Sequence, residues 1–363
     1  MSPIASTVAA LRPRVHILGL GSIGTFAAHS ISGILSGPSV VLLLHRKSLL
    51  ENYRLNSNKI RFESRDGKKS ASWGYELEML SNDNWYNISE QSQDNGDANI
   101  AQDTITNLIV CVKATQTVTA IRSIANRLNR NSNILFLQNG AGMIEELNRN
   151  LFPDPLSRPN YLTGVISHGV TLNAPFDITH TGFSATSVGP VPRDSKKIED
   201  IPTSQSRYLL DVLPQSQILN ATSYSYTDIL QIQLEKLTVN AFCNPICALH
   251  DAKNEFLFTV PEMRRSLLEE ISQVVLALPE LKGVPGVEER FSVERLESTV
   301  NMIIEKTAQT ICSMVWDLRA GRETEIKFIN GSWSRMGRST GVKTPINDDL
   351  VCQILARSPK NGE

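Results

Sequence analysis

Nowhere in this chain of 363 residues do apolar residues run for the roughly 20 positions that a membrane-spanning helix requires, so a soluble protein is expected. Cysteine is scarce as well: Cys111, Cys243, Cys247, Cys312 and Cys352 are an odd set of five with no CxxC pair among them. That argues against a disulfide framework or a zinc site, and it fits a reducing compartment with no bound metal. Cys243 and Cys247 lie one helical turn apart and, without histidine partners nearby, read as small core residues. An excess of either charge is also missing. With Lys plus Arg at 36 and Asp plus Glu at 37, no global field attracts nucleic acid or an anionic membrane, which leaves a small molecule as the expected partner.

Acidic residues are absent from the start of the chain until Glu51, and Arg12 and Arg14 follow a Ser/Ala/Thr-bearing beginning. Such a composition faintly resembles an organelle leader, but about a dozen residues before the first strand give it little room. The cytoplasm is therefore the expectation and the mitochondrion the lesser alternative. Asn-x-Ser/Thr matches at Asn87, Asn220 and Asn330 carry little meaning without a secretory signal.

What the chain does contain is a length too great for one ordinary core, so two domains are expected. Val15 to Leu18 reads as a strand, followed by Gly19, Leu20, Gly21, Ser22, Ile23 and Gly24 and then a helical stretch. GxGxxG at a strand-to-helix turn is the dinucleotide-binding arrangement: Gly19 for the turn, Gly21 for approach of a pyrophosphate, Gly24 for close packing of helix on sheet. Amides at the positive helix end would then bind the phosphates. A second strand, Val40 to Leu44, ends in His45, Arg46 and Lys47, where an NAD site usually carries an acid. Cations there suit a 2′-phosphate and favour NADPH over NADH; a plain basic loop is the alternative. Buried strands at Asn107 to Val112 and Asn133 to Leu137 bring Lys113 and Asn139 to strand ends, where ligands meet a doubly wound sheet.

Lys59 to Met79 reads as paired strands around Asp66-Gly67, and Ser81 to Asp103, polar and turn-rich, as a surface insertion. Short β-like runs from Gly164 to Gly189 read as an antiparallel edge of the first domain, with His168 and His180 as structural histidines. After the charged Pro190 to Pro202 segment come a helix over Ser204 to Leu213 and a strand over Gln217 to Leu219. Near residue 225 the pattern changes to long helices, which predicts a first domain over residues 1–225 and a second over 226–363. Further helices are expected at Pro261 to Ala277, at Ser292 to Thr307 and from about Glu323, the last preceded by a polar loop containing Ser313 and Asp317.

The first helix of that second half carries Lys236, Asn240 and Asn244 at four-residue intervals, stacking an amine and amides along one stripe. Leu230, Leu234, Leu237 and Ala241 supply the apolar stripe opposite. By itself, such a polar line is more often a solvated face than a ligand site.

Taken together, LGLGSIGT, HRK, CVKATQT, LQNGAG, LEKLTVNAFCNPICALHDAKN and SMVWDLRAGRETEIKFING resemble the ketopantoate reductase family, in the family's order and over nearly the whole chain. The two C-terminal motifs are the most specific. The resemblance implies an α/β plus all-α fold: an N-terminal Rossmann-type domain, a C-terminal helical domain and an active site in the cleft between them. It also implies NADPH-dependent reduction of 2-dehydropantoate to (R)-pantoate, on the route to pantothenate and coenzyme A. By motif position Lys236 matches the family's catalytic lysine, and Glu325 the glutamate that works with it and contacts the cofactor. Asn240, Asn244, Asn254 and Ser313 match substrate-binding residues. Gly19, Leu20, Gly21, Ser22, Ile23, Gly24, Arg46, Lys113 and Asn139 match contacts to the NADP cofactor.

The chemistry stands beside the resemblance. Hydride delivery to a 2-keto carbon leaves a developing alkoxide that needs a proton or a positive charge at about 3 Å, and Lys236 can supply both. Desolvation would lower its pKa while Glu325 would keep it charged. Asn240 and Asn244 can hold a hydroxyl and a carbonyl without adding charge, and Ser313 suits a carboxylate. Departures from the family include Leu234 in place of a tryptophan, Glu235 beside the lysine, and the Ser81 to Asp103 insertion. They leave open a reductase of another branched 2-keto acid, or a silent dinucleotide-binding or interaction module, as alternatives. A homodimer also stays open.

Overall fold

The computed structural model describes residues 12–88, 99–193 and 207–358. In chain order its strands are β1 (Arg14–Leu18), β2 (Ser39–Leu44), β3 (Ile60–Ser64), β4 (Lys69–Ser72), β5 (Glu76–Ser81), β6 (Asn84–Ile88), β7 (Asn107–Val110), β8 (Asn133–Phe136), β9 (Asn160–Ile166), β10 (Gly169–Ala174), β11 (Asp177–Gly182), β12 (Thr186–Val191) and β13 (Ala221–Ser223). The helices are α1 (Ser22–Ser32), α2 (Lys47–Leu55), α3 (Thr117–Arg122), α4 (Met143–Asn150), α5 (Tyr208–Val212), α6 (Tyr226–His250), α7 (Pro261–Leu276), α8 (Val287–Arg290), α9 (Val293–Lys306), α10 (Ser313–Arg319), α11 (Asn330–Thr340) and α12 (Pro345–Arg357).

β1, β2, β7, β8 and β9 are short apolar runs, buried on both faces as a parallel sheet requires. They lie in the order β13-β12-β9-β8-β7-β1-β2-β5-β6. The chain leaves β1 toward β2 and β5, then returns to β7 on the other side, so the order reverses between β1 and β7. That reversal opens a crevice at the carboxyl ends of the strands, where open α/β sheets take their ligands. β10, β11, β3 and β4 form a second sheet. It packs on α1 through Phe26 and Phe62. In this layer His168 Nδ1 meets His180 Nε2 at 2.9 Å and the other ring nitrogen of His168 meets the Leu219 carbonyl, a structural role as expected.

α6 spans 25 residues, about 37 Å at the usual rise, and so reaches from the sheet into the helical half. Ser225 starts it by accepting from the Asp228 N–H. Asp251, in the left-handed conformation, ends it. Leu234, Leu237 and Ala241 are buried in the helical core with Phe242, Ile246 and Trp333, while Leu230 is only partly covered.

Several expectations need correction. Part of the presumed surface insertion is β6, an edge strand paired antiparallel to β5. Asn82 and Asp83, both at positive φ, make the tight turn that matches strand twist, and Trp85 is buried with its Nε1 donating to the Ser123 carbonyl. Residues 89–98 of that insertion, the 194–202 part of the Pro-bearing segment and 204–206 of the next helix lie outside the described residues, as do the first eleven residues. The helix expected over Ser204 to Leu213 is described as Tyr208–Val212 followed by a 3-10 turn. Gln217 to Leu219 is a turn, held by the Ser216 hydroxyl accepting the Leu219 N–H, and the strand comes after it. β7 and β8 stop at Val110 and Phe136, two residues and one residue short of the expected ends. Ser313 begins a helix rather than sitting in a loop, and that helix stops where Gly321 turns left-handed and Arg322 N–H bonds the Asp317 carbonyl. Glu323 and Glu325 consequently precede a 3-10 turn at Ile326–Phe328, and α11 begins only at Asn330.

Candidate active site

The glycine turn divides by the reason for each glycine. A Cβ on Gly19 would stand 2.5 Å from the Val112 nitrogen and one on Gly24 would stand 1.8 Å from the Gly19 oxygen, so the chain itself demands both. Gly21 is different: it caps α1 at φ −77°, which any residue adopts, and a Cβ there would meet no protein atom within 4 Å. Its lack of a side chain leaves the backbone there open to approach from outside the chain. The first turn of α1 carries no acid, leaving its positive end uncompensated. Leu20 is buried and Ile23 packs on the first core, so Leu20, Ser22 and Ile23 offer this edge mainly backbone. Arg46 caps α2 just past β2 and is exposed, with exposed Lys47 beside it. These residues fit the phosphates of a dinucleotide, including one on the ribose.

Lys113 follows β7, but its ammonium is held across the crevice, 2.7 Å from Asp317 Oδ2 and 3.7 Å from Glu325 Oε2. Asp317 is buried on α10 and is also gripped by Arg322 at 3.1 Å. Sequence reasoning gave Asp317 no role, because its partner lies 204 residues away. Glu325 is likewise buried; its Oε1 accepts the Ala114 N–H at 2.9 Å. Burial pushes the Glu325 carboxyl up, opposed by Lys113 and the Ala114 amide.

Lys236 lies half-buried on α6 and donates to the carbonyl of Ile166, the last residue of β9. Burial lowers its pKa from 10.5 to about 8, and Glu325 counters only in part. Lys236 makes no ion pair among the described residues. It lines a narrow cleft with Asn139, Asn240, Gln138, Gly140 and Gly164. The loop after β8 that forms one wall is clamped to the helical half: Ala141 N–H bonds the Phe328 carbonyl, and Ser332 and Gln233 donate to the carbonyls of Ala141 and Gly140. Gln138 was missed from sequence. Its amide nitrogen, Nε2, donates to the Val112 carbonyl and Thr117 hydroxyl at 2.7 Å each, while its buried Oε1 has no hydrogen-bond partner among the described residues.

The remaining candidates lie on α6, on the 3-10 turn that follows it and on α10. Asn244 is buried, with its carbonyl 3.7 Å from Cys312 Sγ. Asn254 is buried too, but its amide is engaged within the protein: Nδ2 donates to Thr307 and Oδ1 faces Cys247 Sγ at 3.6 Å. Ser313 is exposed at the start of α10, which packs on α6. The structure thus brings Asn139, Lys236 and Asn240 to one cleft, while Asn244, Asn254 and Ser313 are not among its lining residues and Arg46 lies apart on the first half. A wider groove at Glu294, Glu297 and Glu305 of α9 is carboxylate-lined and poorly suited to an anionic ligand.

Comparison with known proteins agrees with this fold. The family models for ketopantoate reductase PanE/ApbA and its C-terminal region match residues 15–193 and 228–357. A probable 2-dehydropantoate 2-reductase of Schizosaccharomyces pombe is 29% identical over 350 residues, 94% of this chain and 96% of that protein. The 2-dehydropantoate 2-reductase of Yersinia pestis is 33% identical over 70% of this chain and 75% of its own. Among solved structures, a probable 2-dehydropantoate 2-reductase of Bacillus subtilis superposes with TM-score 0.66 at 23% identity, covering 95% of this chain and all of the other. A D-mandelate dehydrogenase with NADH and anilino(oxo)acetate superposes with TM-score 0.65 at 20% identity, over 95% and 97% of the two chains. At these identities the structural likenesses speak to the fold alone.

Proposed function

The chain belongs to the ketopantoate reductase family, and from that premise we propose that it is an NADPH-dependent 2-dehydropantoate 2-reductase. It converts the C2 ketone of 2-dehydropantoate to the hydroxyl of (R)-pantoate, on the route to pantothenate and coenzyme A. Residues 1–225 form the cofactor-binding half and 226–363 the substrate-binding half. The observation that carries this reading is Lys236: a half-buried amine with its pKa lowered to about 8, at the carboxyl end of β9, facing the cleft that Asn139 and Asn240 line.

Bound NADPH supplies the hydride. The glycine turn and α1 amides hold its pyrophosphate, and Arg46 takes the 2′-phosphate. Lys236, protonated near neutral pH, gives its proton to the alkoxide oxygen as charge develops there. While unengaged, that ammonium rests on the Ile166 carbonyl, which keeps the amine aimed along the strand end. Glu325 keeps Lys236 charged enough to donate and, with Asp317, holds Lys113 at the cofactor side. Asn240 and Asn244 bind the keto acid's hydroxyl and carbonyl, Ser313 its carboxylate; Asn254 contributes once its internal hydrogen bonds are exchanged for the ligand.

No described helix is long and apolar enough to cross a membrane. A cytoplasmic location belongs to the same proposal, and so does a homodimer, the state of a Staphylococcus aureus ketopantoate reductase that shares the fold at TM-score 0.67 and 17% identity. The test is NADPH oxidation with 2-dehydropantoate, run beside NADH and a panel of other 2-keto acids. Turnover selective for 2-dehydropantoate and NADPH is expected. Faster turnover of another branched keto acid would replace the substrate, and NADPH binding without any turnover would make the chain a binding module.

A further inference from the structure

Gln138 follows β8 and lines the cleft with Lys236 and Asn240, yet it is only 9% exposed. Its side-chain amide fits one way round. The Val112 carbonyl can only accept, and the Thr117 hydroxyl spends its single proton on the Ala114 carbonyl at 2.8 Å, so each takes a proton from Gln138 Nε2, at 2.7 Å in both cases. Both amide protons are thereby used within the protein, and exchanging the two ends would set oxygen against the Val112 carbonyl. What remains is a fixed acceptor, the buried Oε1, which has no hydrogen-bond partner among the described residues. The anchoring loop is itself held from the helical half, since the Ala114 N–H bonds Glu325 Oε1. A buried acceptor left unmatched works against folding, and its place in a ligand cleft points to a donor that the ligand brings.

The order of strand ends identifies that donor. Along the carboxyl edge of the sheet come Arg46 past β2, the glycine turn past β1, Lys113 past β7, Gln138 past β8, and at the end of β9 the Ile166 carbonyl on which Lys236 rests. At about 4.8 Å between neighbouring strands, β8 lies two spacings, roughly 10 Å, from β1 and one spacing from β9. A dinucleotide with its 2′-phosphate at Arg46 and its pyrophosphate on the glycine turn continues over β7 toward β8, which brings its nicotinamide end to Gln138. That ring carries one group with N–H donors, the carboxamide. The geometry points to Gln138 as the residue that orients the nicotinamide ring: its Oε1 accepts a carboxamide N–H and so fixes the rotation of the ring about its glycosidic bond, beside the keto carbon that Lys236 serves. The assignment rests on the proposed function and adds to it a preference for a ring that bears a primary amide.

The test removes the donor from the ligand as well as the acceptor from the protein. Dissociation constants of NADPH and of its reduced 3-acetylpyridine analogue, in which a methyl group replaces the amide nitrogen, are measured by titration calorimetry on the full chain and on Gln138→Met, whose side chain has a similar length. The unaltered protein should bind the analogue roughly tenfold more weakly, and Gln138→Met should bind the two within about twofold of each other. A merely structural glutamine would weaken both ligands alike and leave their ratio where it was. Equal affinities in the unaltered protein, or a ratio that survives in Gln138→Met, overturn the assignment. Should circular dichroism show that the methionine variant does not fold, Gln138→Asn, whose amide is shorter by one methylene, carries the same comparison with the same expectation. The keto acid's own hydroxyl is the rival donor, read from KM for 2-dehydropantoate against 3,3-dimethyl-2-oxobutanoate, which lacks it. A hydroxyl preference that vanishes in Gln138→Met while the NADPH preference stays gives Oε1 to the substrate and overturns the carboxamide. If the unaltered protein binds neither dinucleotide, the functional reading falls and takes this assignment with it; if it binds both equally and reduces the keto acid, that reading stands and the assignment alone falls.

Discussion

Two clusters of charge lie at opposite ends of the same parallel strands, and they have opposite electrostatic outcomes. On the amino-terminal side, Glu78 is fully buried and accepts bidentate hydrogen bonds from Arg127 at 2.6 and 3.0 Å, with His16 Nε2 and an Arg14 guanidinium nitrogen nearby at 3.4 and 3.6 Å. Burial alone would raise its carboxyl, but His16 and Arg127 outweigh that and hold it at about 2. At the carboxyl end, burial wins. Glu325 is pushed up and Lys236 down to about 8, because Lys113 and the Ala114 amide only partly offset burial at Glu325, and Lys236 rests on a carbonyl rather than a carboxylate. Saturated pairing gives a structural clamp, whereas incomplete pairing leaves burial to set the direction in which each group shifts.

The largest break in this contrast should come from Lys236→Ala, which removes the proposed proton donor. We expect kcat to fall by roughly 10²–10⁴ with the thermal unfolding midpoint little changed, by steady-state kinetics and calorimetry. Glu78→Gln should do the reverse, leaving Arg127 buried and uncompensated at a cost of about 3–5 kcal/mol in denaturant unfolding, with activity per folded molecule retained. Since Glu78 ionises near 2 in the fold against 4.5 otherwise, its contribution is complete above about 4.5 and is lost as pH falls toward about 2. An unfolding series that shows no such acid loss in the wild type would remove the clamp from this account.

Smaller effects sharpen the comparison. Gly21→Ala should weaken NADPH roughly tenfold or more while costing under about 1 kcal/mol of stability. Gly24→Ala should instead destabilise the fold, because its Cβ would collide with the Gly19 oxygen at 1.8 Å. Equal stability losses in the two variants would mean that Gly21 serves the chain and not a ligand. The mildest effect is on pH. Lys236 donates only when protonated, so kcat for reduction should decline as pH rises through about 8. Glu325 raises that pKa, so in Glu325→Gln the alkaline limb should move to lower pH; a limb that stays in place would show that Lys236 does not feel Glu325.

Much of this was legible in the sequence where the controlling physics is local. The glycine turn, the apolar strands β1, β2, β7 and β8, and the Lys236-Asn240-Asn244 stripe each follow from rules spanning a few residues. β6 was hidden because an edge strand needs few apolar positions, and only Trp85 announces it. α10 was taken for a loop because seven residues with a polar face give too short a period to detect, and its end depends on Gly321. Asp317 stood unexplained in the sequence since its meaning is Lys113, and Gln138 passed unnoticed since its amide answers a carbonyl 26 residues away.

Residue order alone therefore determined a dinucleotide turn, cations where an acid would favour NADH, and a lysine stacked with two asparagines on one helix. Tertiary structure decided which charges are satisfied and which are not. It paired Lys113 with Asp317 rather than leaving it free, and laid the Lys236 ammonium on the Ile166 carbonyl. The reason is physical: backbone conformation and side-chain periodicity are fixed within a few residues, but desolvation and Coulomb interaction depend on every group that folding brings within a few ångströms, whatever its distance along the chain.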